Sequence, residues 1–261
     1  MKTVIVPVDF SETSLNAARY AAKLLTGHYG VEIILYHMYE KNSQAAETTK
    51  ELEKLKEELM NTGIVKIKML AEQGDDFIDE LEKLARHQEA DLIIMGITGR
   101  SPIGQVLIGS NTLEMVSKKV CPVLIIPSGT IFKEVKNVLL TSDFKNVSAT
   151  TPTVPIKKIL KTFQPNLHII NVDSEHYVAL TEEYQSERAK LKEIFEDFKP
   201  EFYFLGWYDV DEAINQFAKD KNIDFIITIP RDQSLIDKMF KTTKTKKLVY
   251  HSAIPVLAVH E

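Results

Sequence analysis

"KTVIVPVDFSETS", residues 2–14, is the stretch from which the fold can be read. Its apolar part, "TVIVPV" (3–8), is short and continuous, as in a strand covered on both faces. Asp9 ends the run, and Ser11 or Thr13 is placed to cap a helix. Leu15, Ala18, Ala21, Ala22 and Leu25 then recur at the spacing of one inward helical face. A buried strand, a polar turn and an amphipathic helix make the first step of an α/β fold.

The same alternation continues outward from that stretch. "VEIILYHM" (31–38) is a second strand, and the charged segment 45–62 is an exposed helix ending before Gly63. "VKIKMLA" (65–71) is a third strand and 75–88 an amphipathic helix. "DLIIMG" (91–96) is a fourth strand, 111–119 a helix, and "PVLIIP" (122–127) a fifth strand. Continuous apolar strands alternating with helices predict a parallel sheet with helices on both faces.

The pattern then starts again. "KNVLLTSDF" (136–144) answers "KTVIVPVDF" 134 residues on, and "NLHIINVD" (166–173) answers "VEIILYHM". "KNIDFIITIP" (221–230) answers "QEADLIIMGI" (88–97), and "IPVLAVH" (254–260) answers "CPVLIIP" (121–127), both at an offset of 133. Four strand matches, in order and at nearly constant offset, mark an internal duplication. The connection "PSGTIFKEV" (127–135) places the division near residue 130, giving domains 1–130 and 131–261. Each is expected to be a five-stranded parallel open sheet of Rossmann-like type.

Composition narrows the function. With 44% hydrophobic and 26% charged residues the chain can build a core and stay in solution. Its net charge of -5 gives no whole-chain footprint for nucleic acid. The single cysteine, Cys121, rules out an internal disulfide and reads as an inert packing residue. No apolar run reaches the ~20 residues needed to span a bilayer. The first residues read as a strand rather than a leader, so a cytoplasmic location and no membrane partner are expected. The histidines show no metal-ligand spacing, and His37 reads as a hydrogen-bonded core or rim residue.

Of the ten glycines, Gly96, Gly99, Gly104 and Gly109 crowd one segment, "MGITGRSPIGQVLIGSNTLEMV" (95–116). A glycine loop between a parallel strand and a helix is suited to anions. Backbone N–H groups converge there, and the helix N-terminus adds partial positive charge. Asn111 with Glu114 fits a capping box, and Ser110 and Thr112 add hydroxyls. Gly99 and Gly104 have the spacing of a Walker A loop, but Gln105 and Val106 stand where its Lys and Ser/Thr belong. No G-x-G-x-x-G is present. Ser11 occupies the position where a haloacid-dehalogenase-like phosphatase has a second Asp.

Gly96-x2-Gly99-x9-Gly109-Ser110, joined to "VPVDFSETS", "LYHM", "DLIIMG" and "CPVLIIP", resembles the universal stress protein family over two tandem copies. The resemblance implies ATP, or AMP or ADP, bound at the carboxyl ends of strands one and four, with Mg²⁺ on the phosphates. Pro7, Val8 and Asp9 would line the adenosine, with Asp9 on ribose hydroxyls or near Mg²⁺. Met38 would offer main-chain groups to adenine, and Met95 would pack on the base. Gly96, Gly99, Gly109, Ser110, Asn111 and Thr112 would cradle ribose and phosphates, and Arg100 would reach a phosphate. The bland readings are a helix cap for Asp9, tight turns for the glycines and core packing for the methionines.

In the second copy Ile229, Asp232, Thr242 and Thr243 stand where the first has Gly96, Gly99, Gly109 and Ser110. One site per chain, in the first half, is therefore expected. The basic run "KTTKTKK" (241–247) reads as a solvated helix face. The apolar fifth strand invites edge pairing. Intramolecular pairing of the two domains through it follows from the resemblance, as does homodimerisation. No catalytic residue or protein-held metal can be named. The leading reading is a non-enzymatic nucleotide-binding regulator, against a slow ATP hydrolase and a nucleotide-free scaffold.

Overall fold

A computed structural model describes residues 1–63, 65–97, 110–173, 181–206, 210–230 and 254–260. These divide into two compact units, Met1–Lys133 and Glu134–Glu261. The fold is α/β in both, with helices flanking a sheet.

In the first unit the strands are β1 (Thr3–Pro7), β2 (Glu32–Tyr39), β3 (Lys66–Gln73), β4 (Leu92–Ile97) and β5 (Val123–Pro127). The helices are α1 (Glu12–Leu24), α2 (Ala45–Thr62), α3 (Phe77–His87) and α4 (Ser110–Ser117). The strands run in the order β3-β2-β1-β4-β5, and every described pairing is parallel. The chain therefore builds to one side of β1, then returns to build on the other. Right-handed crossovers place α1 and α2 on one face, α3 and α4 on the opposite one. Val4, Ile5 and Val6 of β1 are wholly buried, as are Ala17, Ala18, Ala21 and Ala22 of α1. Four small side chains let α1 lie close on the sheet.

The second unit has β6 (Asn137–Thr141), β7 (Asn166–Asp173), β8 (Glu201–Gly206), β9 (Phe225–Thr228) and β10 (Val256–Ala258). Their order is β10-β9-β6-β7-β8, again parallel. The strand order within each unit is what stands of the expected pair of five-stranded sheets. Its helices are α5 (Val147–Thr150), α6 (Thr153–Phe163), α7 (Glu182–Ile194) and α8 (Val210–Asp220).

The duplication extends to individual hydrogen bonds. Asp91 Oδ2 accepts from the backbone N–H groups of Lys2 and Thr3, and Asp224 Oδ2 accepts from those of Lys136, at 2.7 Å, and Asn137, at 2.9 Å. Each carboxylate binds the start of its unit's first strand to the start of its fourth.

Among the described residues no helix is long and apolar enough to cross a membrane.

Candidate functional site at the carboxyl ends of β1, β2 and β4

The order β3-β2-β1-β4-β5 reverses direction between β1 and β4, which pair directly with Ile5 opposite Ile93. Chains leaving the carboxyl ends of such neighbours depart to opposite faces and leave a crevice between them. Pro7 ends β1 at this point and Val8 and Asp9 follow it, while Met95 and Gly96 precede Ile97 at the end of β4.

Asp9 is exposed, while Pro7 and Val8 are buried. The Asp9 carboxylate folds over the start of α1. Its Oδ1 accepts from the Ser11 amide at 3.0 Å and from the Ser11 hydroxyl. The Asp9 amide donates to Ser14 Oγ at 3.2 Å. Ser11 caps α1 by accepting from the Ser14 amide. Partial desolvation pulls the Asp9 carboxyl upward, but the hydrogen bonds from Ser11 and Ser14 outweigh it and hold the group below its ordinary value. Asp9 is therefore ionised at neutral pH and fixed in place. Phe10 turns the chain with φ of 61°, a left-handed conformation that non-glycine residues seldom adopt.

Beyond Pro7 the chain is tied to β2 by two bonds. The Val8 amide donates to the Tyr36 carbonyl at 2.8 Å, and the Val8 carbonyl lies 2.7 Å from His37 Nδ1. A carbonyl only accepts, so Nδ1 carries the proton. The His37 ring lies against Phe10, with centroids 4.8 Å apart. Register between β1 and β2 ends at Pro7↔Tyr36. Tyr36 presents its carbonyl to β1, and main-chain groups in a strand repeat their direction every second residue. Met38 accordingly turns its N–H and C=O to the same side, past the point where β1 has left the sheet. The Met38 side chain lies against Gly74, where an added Cβ would meet its Sδ at 2.8 Å.

Gly96 is required by packing. A Cβ there would stand 2.5 Å from the Thr13 carbonyl oxygen and 2.7 Å from Thr13 Cγ2. The first turn of α1 thus occupies the space that a side chain would need. The Gly96 carbonyl accepts from the Thr112 hydroxyl at 2.9 Å, and Thr112 is buried at 2% exposure. This bond ties α4 to the end of β4. Asn111 is not the cap of this helix, because α4 already includes Ser110. Met95 is buried at 5% exposure.

Gly99, Arg100 and Gly109 lie outside the described residues, as do Asp232, Thr242, Thr243 and the run 241–247. For Ser110 only the backbone placement is described.

The corresponding place in the second unit is built from larger side chains. Asp143 Oδ1 accepts from the Lys145 amide at 3.1 Å, matching Asp9 on Ser11. Phe144, with φ of 51°, matches Phe10. The Asn171 side-chain Nδ2 donates to the Ser142 carbonyl at 2.9 Å, matching His37 on Val8. Phe144, however, is buried at 2% exposure, with ring centroids of Phe202, Phe204 and Tyr184 between 5.2 and 6.2 Å away. Arg188 on α7 lies over Phe202 at 5.2 Å. The buried Glu187, also on α7, accepts from the Val147 amide at 2.7 Å and so occupies the N-terminus of α5. Sequence matching missed β8, because "EFYFLG" (201–206) shares no pattern with "KIKMLAEQ" (66–73).

Burial pushes the Cys121 thiol up to about 12, with the Asp91 charge adding to the effect. This keeps it protonated and unreactive at neutral pH. Among the described residues, no group of three or more His, Cys, Asp or Glu is placed to hold a metal ion.

The sequence model described as Universal stress protein family matches residues 1–127 and 165–260. A universal stress protein of Methanocaldococcus jannaschii is 29% identical over 140 residues, covering 48% of this chain and 81% of the relative. A second from that organism is 27% identical over 157 residues, covering 48% of this chain and 94% of the relative. The crystal structure of a universal stress protein from Archaeoglobus fulgidus superposes with a TM-score of 0.73 at 16% identity, covering 99% of this chain and 98% of that one. A putative universal stress protein from Pseudomonas aeruginosa gives 0.62 at 13% identity, covering 100% and 93%. At these identities the two structures establish the fold.

Proposed function

The chain belongs to the universal stress protein family as a tandem-domain member, and from that premise we propose that it binds one adenine nucleotide in the crevice of its first unit and acts as a regulatory module. The observation that carries the reading is the meeting of three strand ends at the point where strand order reverses. Asp9, ionised and held by Ser11 and Ser14, is proposed to take the ribose hydroxyls. The main chain of Met38 is proposed to meet the adenine edge, with Pro7, Val8 and Met95 as the apolar wall. Gly96 contributes by letting α1 close on β4, and Thr112 by fixing its carbonyl. Gly99, Gly109, Ser110 and Asn111, with Arg100, are proposed to receive the phosphates and their Mg²⁺. When bound, the metal would offset phosphate charge.

No step of hydrolysis is assigned to any residue. The second unit is proposed to serve without a nucleotide of its own, and homodimerisation belongs to the same proposal. The test is mass spectrometry of what co-purifies, followed by calorimetry with ATP and Mg²⁺, AMP and cyclic AMP. Binding of at least one at micromolar concentration is expected. No binding and no thermal shift with any of them overturns the reading, since a ligand selective for the folded state must stabilise it.

A further inference from the structure

We propose that His37 is a positioning residue for this site, and this rests on the nucleotide reading above. Its Nδ1–H takes the Val8 carbonyl, which a continuing strand would have offered to the Met38 amide, and so leaves the Met38 main chain open to a ligand.

The geometry sets out the competition. In a parallel ladder that continued past Pro7↔Tyr36, the Val8 amide would donate to Tyr36 and the Val8 carbonyl would accept from Met38. The first bond is made, at 2.8 Å. The carbonyl is instead 2.7 Å from an imidazole nitrogen. A side chain on β2 has replaced a main-chain donor of β2 as the partner of the same oxygen. The strand then ends one residue early, Phe10 enters the left-handed region, and Asp9 is delivered to its Ser11 turn.

The second unit supplies an independent instance. Asn171 stands 134 residues after His37, and its Nδ2 donates to the carbonyl of Ser142, 134 residues after Val8. Again the amide of that residue donates to the facing strand, from Ser142 to Ile170 at 3.0 Å, and Phe144 follows with positive φ. Imidazole and carboxamide share little beyond a short-reach N–H donor. The property kept in both copies is therefore donation to this carbonyl. With Nδ1 as the donor, Nε2 of His37 takes no part in the bond.

The experiment compares His37→Asn and His37→Leu with the unaltered chain. Asparagine is the second unit's own solution and keeps the donor; leucine removes it. Calorimetry with ATP and Mg²⁺ is expected to show His37→Asn within about threefold of the unaltered Kd. His37→Leu should be weaker by about tenfold or more, the scale of one lost hydrogen bond of about 1.4 kcal/mol. Equal affinity in all three overturns the proposal, as does equal loss in both variants with folding intact by circular dichroism. Nitrogen-15 shifts of His37 in the nucleotide-free chain are read separately. A protonated Nδ1 with a bare Nε2 is expected, and the opposite tautomer overturns the proposal without reference to any nucleotide. If the unaltered chain binds nothing, the nucleotide reading fails and the ligand half of the proposal falls with it, while the tautomer still decides the hydrogen-bond half.

Discussion

The end of β1 and the end of β6 begin as copies and finish as different objects. Both carry an aspartate that accepts from the amide two residues on, a phenylalanine at positive φ, and a side-chain donor on the facing carbonyl. In the first unit Asp9 is exposed and α1 runs unbroken from Glu12 to Leu24, pressed on Gly96. In the second, Ile229 carries the Cβ for which position 96 has no room. There the helix is interrupted at Thr151 and Pro152, and aromatic rings close around Phe144. The polar turn is thus part of the strand-to-helix connection, and both copies need it. The close approach of helix to strand is separate, and only glycine permits it.

Exchanging the residues that differ should have the largest effect. Gly96→Ile forces a side chain to within 2.5 Å of the Thr13 carbonyl. It should cost about 3 kcal/mol in urea unfolding, the upper range for overpacking, and abolish nucleotide binding. Ile229→Gly should cost only about 1 kcal/mol through backbone entropy, and should create no second site. Similar losses from the two changes would break the comparison.

The residues the units share should instead behave alike. Asp91→Ala and Asp224→Ala each strand two backbone amides at the start of a first strand. Each should lose about 1.5 kcal/mol. A marked inequality would mean that the duplicated clamps do not carry equal loads.

The two aspartates of the turns sharpen the contrast. Asp9→Ala and Asp143→Ala should each lose about 1 kcal/mol, as for a lost helix cap, but only Asp9→Ala should weaken nucleotide binding. The Asp9 carboxyl is held below its ordinary value, so its contribution is present above the unfolded-state pKa and is lost as pH falls through the lowered one. The stability gap between the unaltered chain and Asp9→Ala should therefore close below about pH 4. A gap unchanged at pH 3 would contradict this.

The smallest effect concerns reactivity. A thiol raised to about 12 should react with a disulfide reagent at pH 8 far more slowly in the folded chain than in urea. Equal rates would show that Cys121 is open.

Much of this was legible in sequence because buried parallel strands are short apolar runs. The alternation located β1 to β5, and offsets of 133 to 135 located β6, β7, β9 and β10. The edge strand β8 escaped because an edge position sets a weaker pattern, and Phe202, Tyr203 and Phe204 answer local ring contacts instead. Asp9 and His37 were legible as polar residues at the ends of apolar runs. The reason for Gly96 was not, because it lies in Thr13, a residue 83 positions away in sequence. The Thr112 bond was hidden for the same reason, since its acceptor, the Gly96 carbonyl, is close only in the fold.

Calorimetric titration of the intact chain with ATP and Mg²⁺ tests the central claim most directly. One nucleotide per chain is expected, unaffected by Asp143→Ala and lost with Gly96→Ile in protein still folded by circular dichroism. Two nucleotides per chain, or one that survives Gly96→Ile and disappears with Asp143→Ala, would contradict it.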